Sequence, residues 1–282
     1  MMSCNVDLLK TKHGMFHSLS SDLYIGNSLK LYGEYSEIEL SIIMKFIKKG
    51  DYVFDIGSNI GAFTVPFLKK IGKSGKVFSF EPQKEIYEIL KMNVEKNREY
   101  NIELFQSGVG LEKTNIDLTF INYNVVDNFG GVSLVQNKDN PFFPHKSDAK
   151  QKISITSLDQ FLHLKKCNFV KIDVEGMELD VLNGGKLFIN KFRPIMWIEN
   201  HRVFPNKLNK LLLKSGYALY WVLSYLFNPH NHSKSNINYF PNICQENILA
   251  IPKEKSKDYN TDALDKIKDE TTPPQKVHTY MI

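Results

Sequence analysis

The sequence predicts an α/β fold: a mostly parallel sheet with helices on both faces and a β-flap inserted into it. Three observations carry this. Short apolar segments alternate with amphipathic ones on either side of a central block, the pattern of strands joined by crossover helices. The stretch DYVFDIGSNIGAFTVPFLKK (51–70) runs an apolar strand into a glycine turn and then into a helix. The block between the alternating regions, 111–156, has no such rhythm, and connections of that length inside a compact domain are usually functional or disordered.

Taken in order, residues 1–35 read as an irregular or strand-like N-terminal arm, rich in Gly and Tyr around DLYIGNSLKLYGEY. Ser36 is then expected to cap a helix, SEIELSIIMKFIKKG, with Glu39 completing a capping box, apolar residues at helical spacing and Gly50 as the stop. YVFDIG, GKVFSFEP and IELFQSGVG are strands, with GAFTVPFLKK and KEIYEILKMNVEKN the helices between them. NIDLTFI and QKISITS frame the flap. After it come a short helix at SLDQFLHL, a strand at NFVKIDVEG, a helix at ELDVLNGGKLFINKF and a strand at RPIMWIEN. NKLNKLLLKSG is a helix, and YALYWVL and ENILAIP are the last strands. The expected division is therefore an arm (1–35), a main domain (36–252) carrying the 111–156 flap, and a tail (253–282). That tail is charged, carries TTPP and lacks apolar periodicity, so it reads as loosely ordered.

Composition excludes several classes. The 282 residues are 42% hydrophobic and 24% charged, as in a globular protein. The net charge of +5 is spread out and gives no basic patch for a nucleic-acid partner. Cys4, Cys167 and Cys244 are far apart, which argues against a disulfide framework or a structural zinc site and makes a reducing cytoplasm the expectation. The N-terminus has no apolar run behind its charges, unlike a secretory signal. LYWVLSYLF (219–227) is far short of the ~20 residues a membrane helix needs.

The turn DIGSNIG is the first candidate site, since ligands of open parallel sheets sit beyond the carboxyl ends of the strands. Gly57 allows the tight turn, and Gly61 allows backbone and helix to approach closely. The next strand ends in Glu81, about 20 residues beyond Gly61, the separation expected of an acid that accepts hydrogen bonds from ribose hydroxyls. The spacing is GxNxG, not GxGxxG. Asn59 fills the space a pyrophosphate wants, and Asp55 sets a carboxylate beside the turn, which suits a ligand carrying an amine. S-adenosylmethionine answers both demands, with its ammonium toward Asp55 or nearby carbonyls and its ribose toward Glu81; a nicotinamide dinucleotide answers them less well.

Seven stretches in this order carry a family resemblance: YGEYSEIE (32–39), VFDIGSNIGAFT (53–64), GKVFSFEP (75–82), NFGGV (128–132), SLDQF (157–161), VKIDVEGMELDVLNGG (170–185) and RPIMWIEN (193–200). The chain resembles the FkbM-type S-adenosylmethionine-dependent methyltransferases. That resemblance implies a Rossmann-like class I methyltransferase fold with seven strands and, usually, O-methyl transfer to a sugar, glycan or small natural product. Carried over position by position, it implies cofactor contacts from Asp55, Gly57, Asn59, Gly61 and Glu81, with Ser107 to Val109 at the adenine edge and Asp173 beside the sulfonium. Ser58 departs from the commoner Ala, with little effect expected.

Transfer to oxygen needs alignment and removal of one proton. Glu199 and Asp173 end neighbouring strands, and His201 follows Glu199, so Glu199 and His201 are the base candidates, with Asp173 orienting cofactor and acceptor. Each has a plainer alternative: a loop histidine for His201, a backbone-binding loop acid for Asp173 or Glu175. Asp173, Glu199 and Asn200 are oxygen ligands a Mg²⁺ could use, but no spacing requires a metal and none is expected. Tyr24, Tyr32, Tyr35, Trp197, Trp221 and Phe227 could stack a sugar, although most read as core. DNFGGVSL reads either as a mobile cover over the cofactor or as a Gly-rich turn. Competing functions are a nucleic-acid methyltransferase, for which no Asn/Asp-Pro-Pro-aromatic motif is present, a dinucleotide-dependent reductase, and a catalytically silent binding module. The arm could serve a homodimer contact.

Overall fold

A computed structural model describes residues 4–97, 101–119, 121–134, 150–200 and 205–274. The arm begins with an antiparallel hairpin, β1 (Val6–Thr11) and β2 (Gly14–Leu19), followed by helices α1 (Ile25–Tyr32) and α2 (Glu37–Ile43). The first alternating block is β3 (Tyr52–Ile56), α3 (Thr64–Ile71), β4 (Lys76–Phe80), α4 (Lys84–Lys96) and β5 (Ile102–Phe105). A small sheet comes next, from β6 (Gly108–Val109), β7 (Thr114–Thr119) and β8 (Lys150–Thr156). The second block is β9 (Phe169–Ile172), α5 (Glu178–Asn183), α6 (Lys186–Phe192), β10 (Ile195–Glu199), α7 (Pro205–Lys214), β11 (Tyr217–Tyr225), β12 (Cys244–Pro252) and the edge strand β13 (Asp265–Ile267).

The main sheet has the order β13-β11-β12-β10-β9-β3-β4-β5. The pairs from β10 to β5 are parallel, whereas β12 runs antiparallel to both β10 and β11. This is the class I methyltransferase order of seven strands with an eighth at the edge. Strand order reverses between β3 and β9, where such sheets open a crevice.

The central strands are apolar on both sides because helices cover both faces. Phe54, Phe78, Phe80, Ile172 and Ile198 belong to one core layer; Val53, Val77, Phe169 and Trp197 belong to the other. Phe54 stacks on Phe78 and Phe80 on Phe105, each pair 4.6 Å between ring centroids. Burying Phe54, Phe78 or Phe80 is worth about 1.5–3 kcal/mol each. Polar residues enter the second layer in register. Asp55 pairs with Ser79 on one side and Lys171 on the other, and Lys171 pairs with Trp197.

Several local expectations change. Residues 25–32 are helical, ended by Gly33 in the left-handed region (φ 67°). Ser36 itself has φ 48° and caps no backbone N–H. Its hydroxyl binds Glu39 and, across the molecule, Gln245. Helix α2 stops at Ile43, short of Gly50. IELFQSGVG divides into β5 and β6, the second leaving the main sheet to pair with β8. Within the described part of the tail, 253–258 form a 3₁₀ turn, β13 pairs with β11, Ile267 is buried, and Trp221 Nε1 donates to the Thr272 carbonyl (2.8 Å). A three-residue strand is too short to show a period, so its sequence looked merely polar. The flap strands β7 and β8 pair as expected, whereas 135–149 lie outside the described residues. Among the described residues no helix is long and apolar enough to cross a membrane.

Candidate active site

A cavity of about 530 Å³ opens beyond the carboxyl ends of β3, β4, β9 and β10. Its floor is the turn after β3. Gly57 and Ser58 donate their N–H groups to the Phe80 carbonyl (3.0 and 2.9 Å), fastening the turn to β4. Gly57 has φ 81°, and a Cβ there would lie 1.7 Å from the Asp173 carbonyl oxygen. Only glycine fits between the ends of β3 and β9. Gly61 (φ 89°) serves packing instead: its Cβ would meet Leu90 of α4 at 2.8 Å, and it does not border the cavity.

Glu81 faces the cavity from the exit of β4. Its two oxygens accept from the Asn59 N–H (3.0 Å) and the Gln83 N–H (2.8 Å). Asn59 is held in the left-handed region (φ 48°), with its Oδ1 accepting from the Ile60 N–H. Two anchored oxygens still keep acceptor capacity, since a carboxylate offers about four lone-pair sites. Burial pushes Glu81 up to about 7, against the two N–H bonds that lower it.

Asp55 is not where the sequence suggested. Along β3 the side chains alternate, so Asp55 points away from the cavity into the second core layer, fully buried. Its Oδ2 accepts from the Thr64 hydroxyl (2.5 Å), while Oδ1 has no hydrogen-bond partner among the described residues. Burial raises its pKa, and Lys171 opposes the rise. Asp55 therefore organises the start of α3 and compensates Lys171, and it is not among the residues that border the cavity. Ser58 carries more than its size suggests: its hydroxyl donates to the Asp55 carbonyl (2.7 Å) and accepts from Ser79 Oγ (2.6 Å) and the Phe80 N–H (3.1 Å).

At the exit of β9, Asp173 accepts from Lys171 Nζ (2.7 Å), a lysine only 2% exposed. Burial works against the lysine's charge, but Asp173, Asp55 and Glu39 more than offset it and raise its pKa. The same ammonium lies 4.9 Å from the Phe63 ring centroid. Glu175 (φ 52°) and Gly176 (φ 104°) turn the chain back on itself. Carboxylate oxygens of Asp173, Glu175 and Glu199 lie within 4.8 Å of one another, a spacing that could hold a hard cation. Glu175 takes the place in that group expected of Asn200, which is buried and does not border the cavity. His201 lies outside the described residues. Of the residues expected at the adenine edge, Gly108 and Val109 border the cavity and Ser107 does not.

The segment 121–134 roofs the cavity through Asn128, Gly130 and Gly131. It is tied down on two sides. Gln83 accepts from the Tyr123 hydroxyl (3.0 Å) and donates to the Phe129 carbonyl (3.0 Å), and Phe129 is fully buried. Leu23 N–H donates to the Asp127 carbonyl (2.9 Å) and Asp127 N–H to that of Ser21 (3.1 Å). Of the aromatic candidates, Tyr24 and Tyr35 border the cavity. Trp197 is core, donating to Glu39 (2.8 Å), and Tyr32, Trp221 and Phe227 pack elsewhere. Burial lifts Glu39 to about 7. Sequence reasoning missed Lys171, Gln83 and Gln245. A lysine inside the apolar run FVKID was a visible signal; the two glutamines gave none.

The family model described as Methyltransferase FkbM domain matches residues 55–219. The chain is 27% identical over 145 residues to Methyltransferase 1 of Beauveria bassiana, a match taking in 47% of this chain and 57% of that protein's length. It is 29% identical over 183 residues to the hexuronic acid methyltransferase AglP of Haloferax volcanii, covering 64% of this chain and 69% of the relative. Among solved structures, an FkbM methyltransferase from Methylobacillus flagellatus shares 19% identity, covers 53% of this chain and 32% of its own, and has a TM-score of 0.34. TYW2 of M. jannaschii, solved in complex with AdoMet, shares 13% identity over 89% of this chain and 87% of its own, with a TM-score of 0.42.

Proposed function

The chain belongs to the methyltransferase FkbM domain family, and on that premise we propose that it moves a methyl group from S-adenosylmethionine to a hydroxyl oxygen of a sugar, a glycan or a small natural product. When bound, S-adenosylmethionine supplies a methyl carbon already activated by its sulfonium. The residues present fit it. The cavity volume falls within the few hundred to about 1,000 Å³ usual for such ligands. Glu81 is the observation that carries the assignment: a buried carboxylate, fixed by two backbone N–H groups, turned toward the cavity beside a glycine turn.

Glu81 accepts the ribose hydroxyls, while Phe80, Val109 and Ile56 give the adenine an apolar wall. With Asp55 turned inward, Asp173 and Glu175 are the acids left to face the ligand's amine. Glu199 is the group placed to take the acceptor's proton, with His201 as the second candidate. Carboxylates clustered at one end of the cavity suit a hydroxyl that must lose a proton as the new C–O bond forms. The Haloferax relative, named for a hexuronic acid, supports a sugar-like acceptor.

The test is methyl transfer from S-adenosyl-[methyl-³H]methionine into glycan, small-molecule and RNA fractions, followed by mass spectrometry of the labelled product. Label in a methyl ether is the expected result. Label confined to RNA, or to nitrogen, would overturn the proposal.

A further inference from the structure

Sheet order gives the cavity two ends. Glu81, at the exit of β4, marks the β3–β4 end; Gln245, at the start of β12, marks the β10–β12 end. At the first, the turn after β3 is the floor and Glu81 to Gln83 form a side wall. The roof, 121–134, belongs to neither the main sheet nor its helices. What fastens it decides how firmly that end is closed.

Gln83 is the N-cap residue of α4, but its side chain makes no cap bond. Ser, Thr, Asp or Asn usually stand there, because a short side chain reaches the helix's own first N–H groups. The longer amide of Gln83 reaches the roof instead. It is 5% exposed and makes two bonds at once: Oε1 accepts from the Tyr123 hydroxyl and Nε2 donates to the Phe129 carbonyl, each at 3.0 Å. The roof presents one donor and one acceptor here, and a primary amide answers both. Burial pushes the Tyr123 phenol well up, so it keeps the proton it donates. Tyr123 and Phe129 pack together with ring centroids 5.1 Å apart, in a core shared with Ile60, Ile86 and Ile89.

The same residue holds the acid. The Gln83 N–H donates to Glu81 Oε1 (2.8 Å), and Glu81 Oε2 accepts from the Asn59 N–H (3.0 Å). Above Asn59 the circuit closes: a Cβ on Gly130, the residue after Phe129, would lie 3.3 Å from Asn59 Nδ2. Glu81, Gln83, Gly130 and Asn59 all border the cavity. The buried carboxylate therefore lies under a roof fastened by its own near neighbour in the chain.

We propose that Gln83 is a positioning residue that latches the roof over the adenosine half of the cavity and, acting through Gly130, sets how long the adenosyl ligand stays bound. This rests on the S-adenosylmethionine reading of that end. A latch of this kind acts on departure more than on arrival, since affinity differences within one site fall mostly on the off-rate.

The test is surface plasmon resonance of S-adenosylhomocysteine on the full chain, paired with hydrogen exchange read by mass spectrometry. Gln83→Met, which keeps the length but not the amide, should raise the off-rate about tenfold and leave the on-rate within about threefold. Tyr123→Phe removes one bond from the roof side and leaves the Glu81 contact alone; it should raise the off-rate about threefold. The double variant should match Gln83→Met, because both substitutions remove the same bond. S-adenosylhomocysteine should slow exchange at 121–134 in the unsubstituted chain and lose that effect in Gln83→Met. A merely structural Gln83 would instead lower the melting temperature and speed exchange in β3 and β4 as well, with the off-rate unchanged. That pattern, effects that multiply in the double variant, or no ligand protection at 121–134 would each overturn the proposal. Should Gln83→Met fail to fold, the off-rate and exchange of Tyr123→Phe decide. No S-adenosylhomocysteine binding by the unsubstituted chain would strike the cofactor assignment instead. The latch is then judged by ligand-free exchange at 121–134, which should rise about tenfold in Gln83→Met with β3 and β4 unchanged.

Discussion

At the β3–β4 end of the cavity the principal contacts come from residues 56 to 83, close together in sequence. At the β10–β12 end, Tyr35 and Gln245 meet across 210 positions. The first end is a local device: a glycine turn, a fixed carboxylate, and hydrogen bonds between a loop and the next strand. The second exists only once an N-terminal helix and a C-terminal strand have been brought together. The local device lies within the matched residues 55–219, whereas Tyr35 and Gln245 lie outside them. The contrast explains why membership of the family settles the kind of chemistry sooner than the acceptor.

Substitutions should separate the two ends. The largest effect is expected at Gly57. Gly57→Ala adds a Cβ at 1.7 Å from the Asp173 carbonyl in a left-handed backbone, which should cost at least about 3 kcal/mol. Thermal unfolding should show the loss, and calorimetry should show no cofactor binding. Next is Glu81→Ala, removing an acceptor of two charge-assisted bonds worth about 1.5–3 kcal/mol each. S-adenosylhomocysteine affinity should fall about 100-fold or more.

Glu81 also sets a pH dependence. Burial holds it near 7 in the folded protein, above its ordinary 4.5. Below about 7 it becomes protonated and loses acceptor capacity, so cofactor affinity should weaken by about tenfold in all as pH falls from 8 to 6. Stability runs the other way. The folded state holds the proton more tightly than the unfolded one, so this group's contribution is greatest below about 4.5 and is lost as pH rises through 7. Glu81→Gln, which keeps an acceptor for one of the two N–H groups, should flatten this pH dependence of stability, and a denaturation series against pH checks both signs.

A smaller effect sharpens the distinction between supporting and contacting residues. Asp55→Asn should cost about 1–3 kcal/mol of stability through Lys171 and Thr64, with cofactor affinity within threefold. A loss of affinity as large as that of Glu81→Ala would return Asp55 to the ligand. Smallest of all, chelation should leave turnover within twofold, because Lys171 already supplies a buried positive charge to Asp173; a chelator-sensitive rate restored by Mg²⁺ would make Glu175 and Glu199 ligands.

What was legible in the chain follows the same division. Apolar periodicity announced β3, β4, β9 and β10, and Gly57 with Glu81 pointed to what the structure places at the β3–β4 end of the cavity. Side-chain direction was harder. Asp55 belongs to the motif, but strand alternation turns it inward, and its partner Thr64 lies a full turn-and-helix entry away. Helix α1 was hidden by its glycine and tyrosines, because packing against Phe129 and Ile60, not propensity, stabilises it. Ser36 looked like a cap because the competing Gln245 is 209 residues distant. Gln83 and Gln245 act through tertiary contacts that no local pattern encodes.

The most direct measurement is isothermal titration of the full chain with S-adenosylhomocysteine, with NAD as the contrasting ligand. One-to-one binding of S-adenosylhomocysteine that disappears in Glu81→Ala and survives in Tyr35→Phe is the expected result. Heat with NAD alone, or S-adenosylhomocysteine binding that Glu81→Ala leaves intact, would contradict the assignment of the cavity.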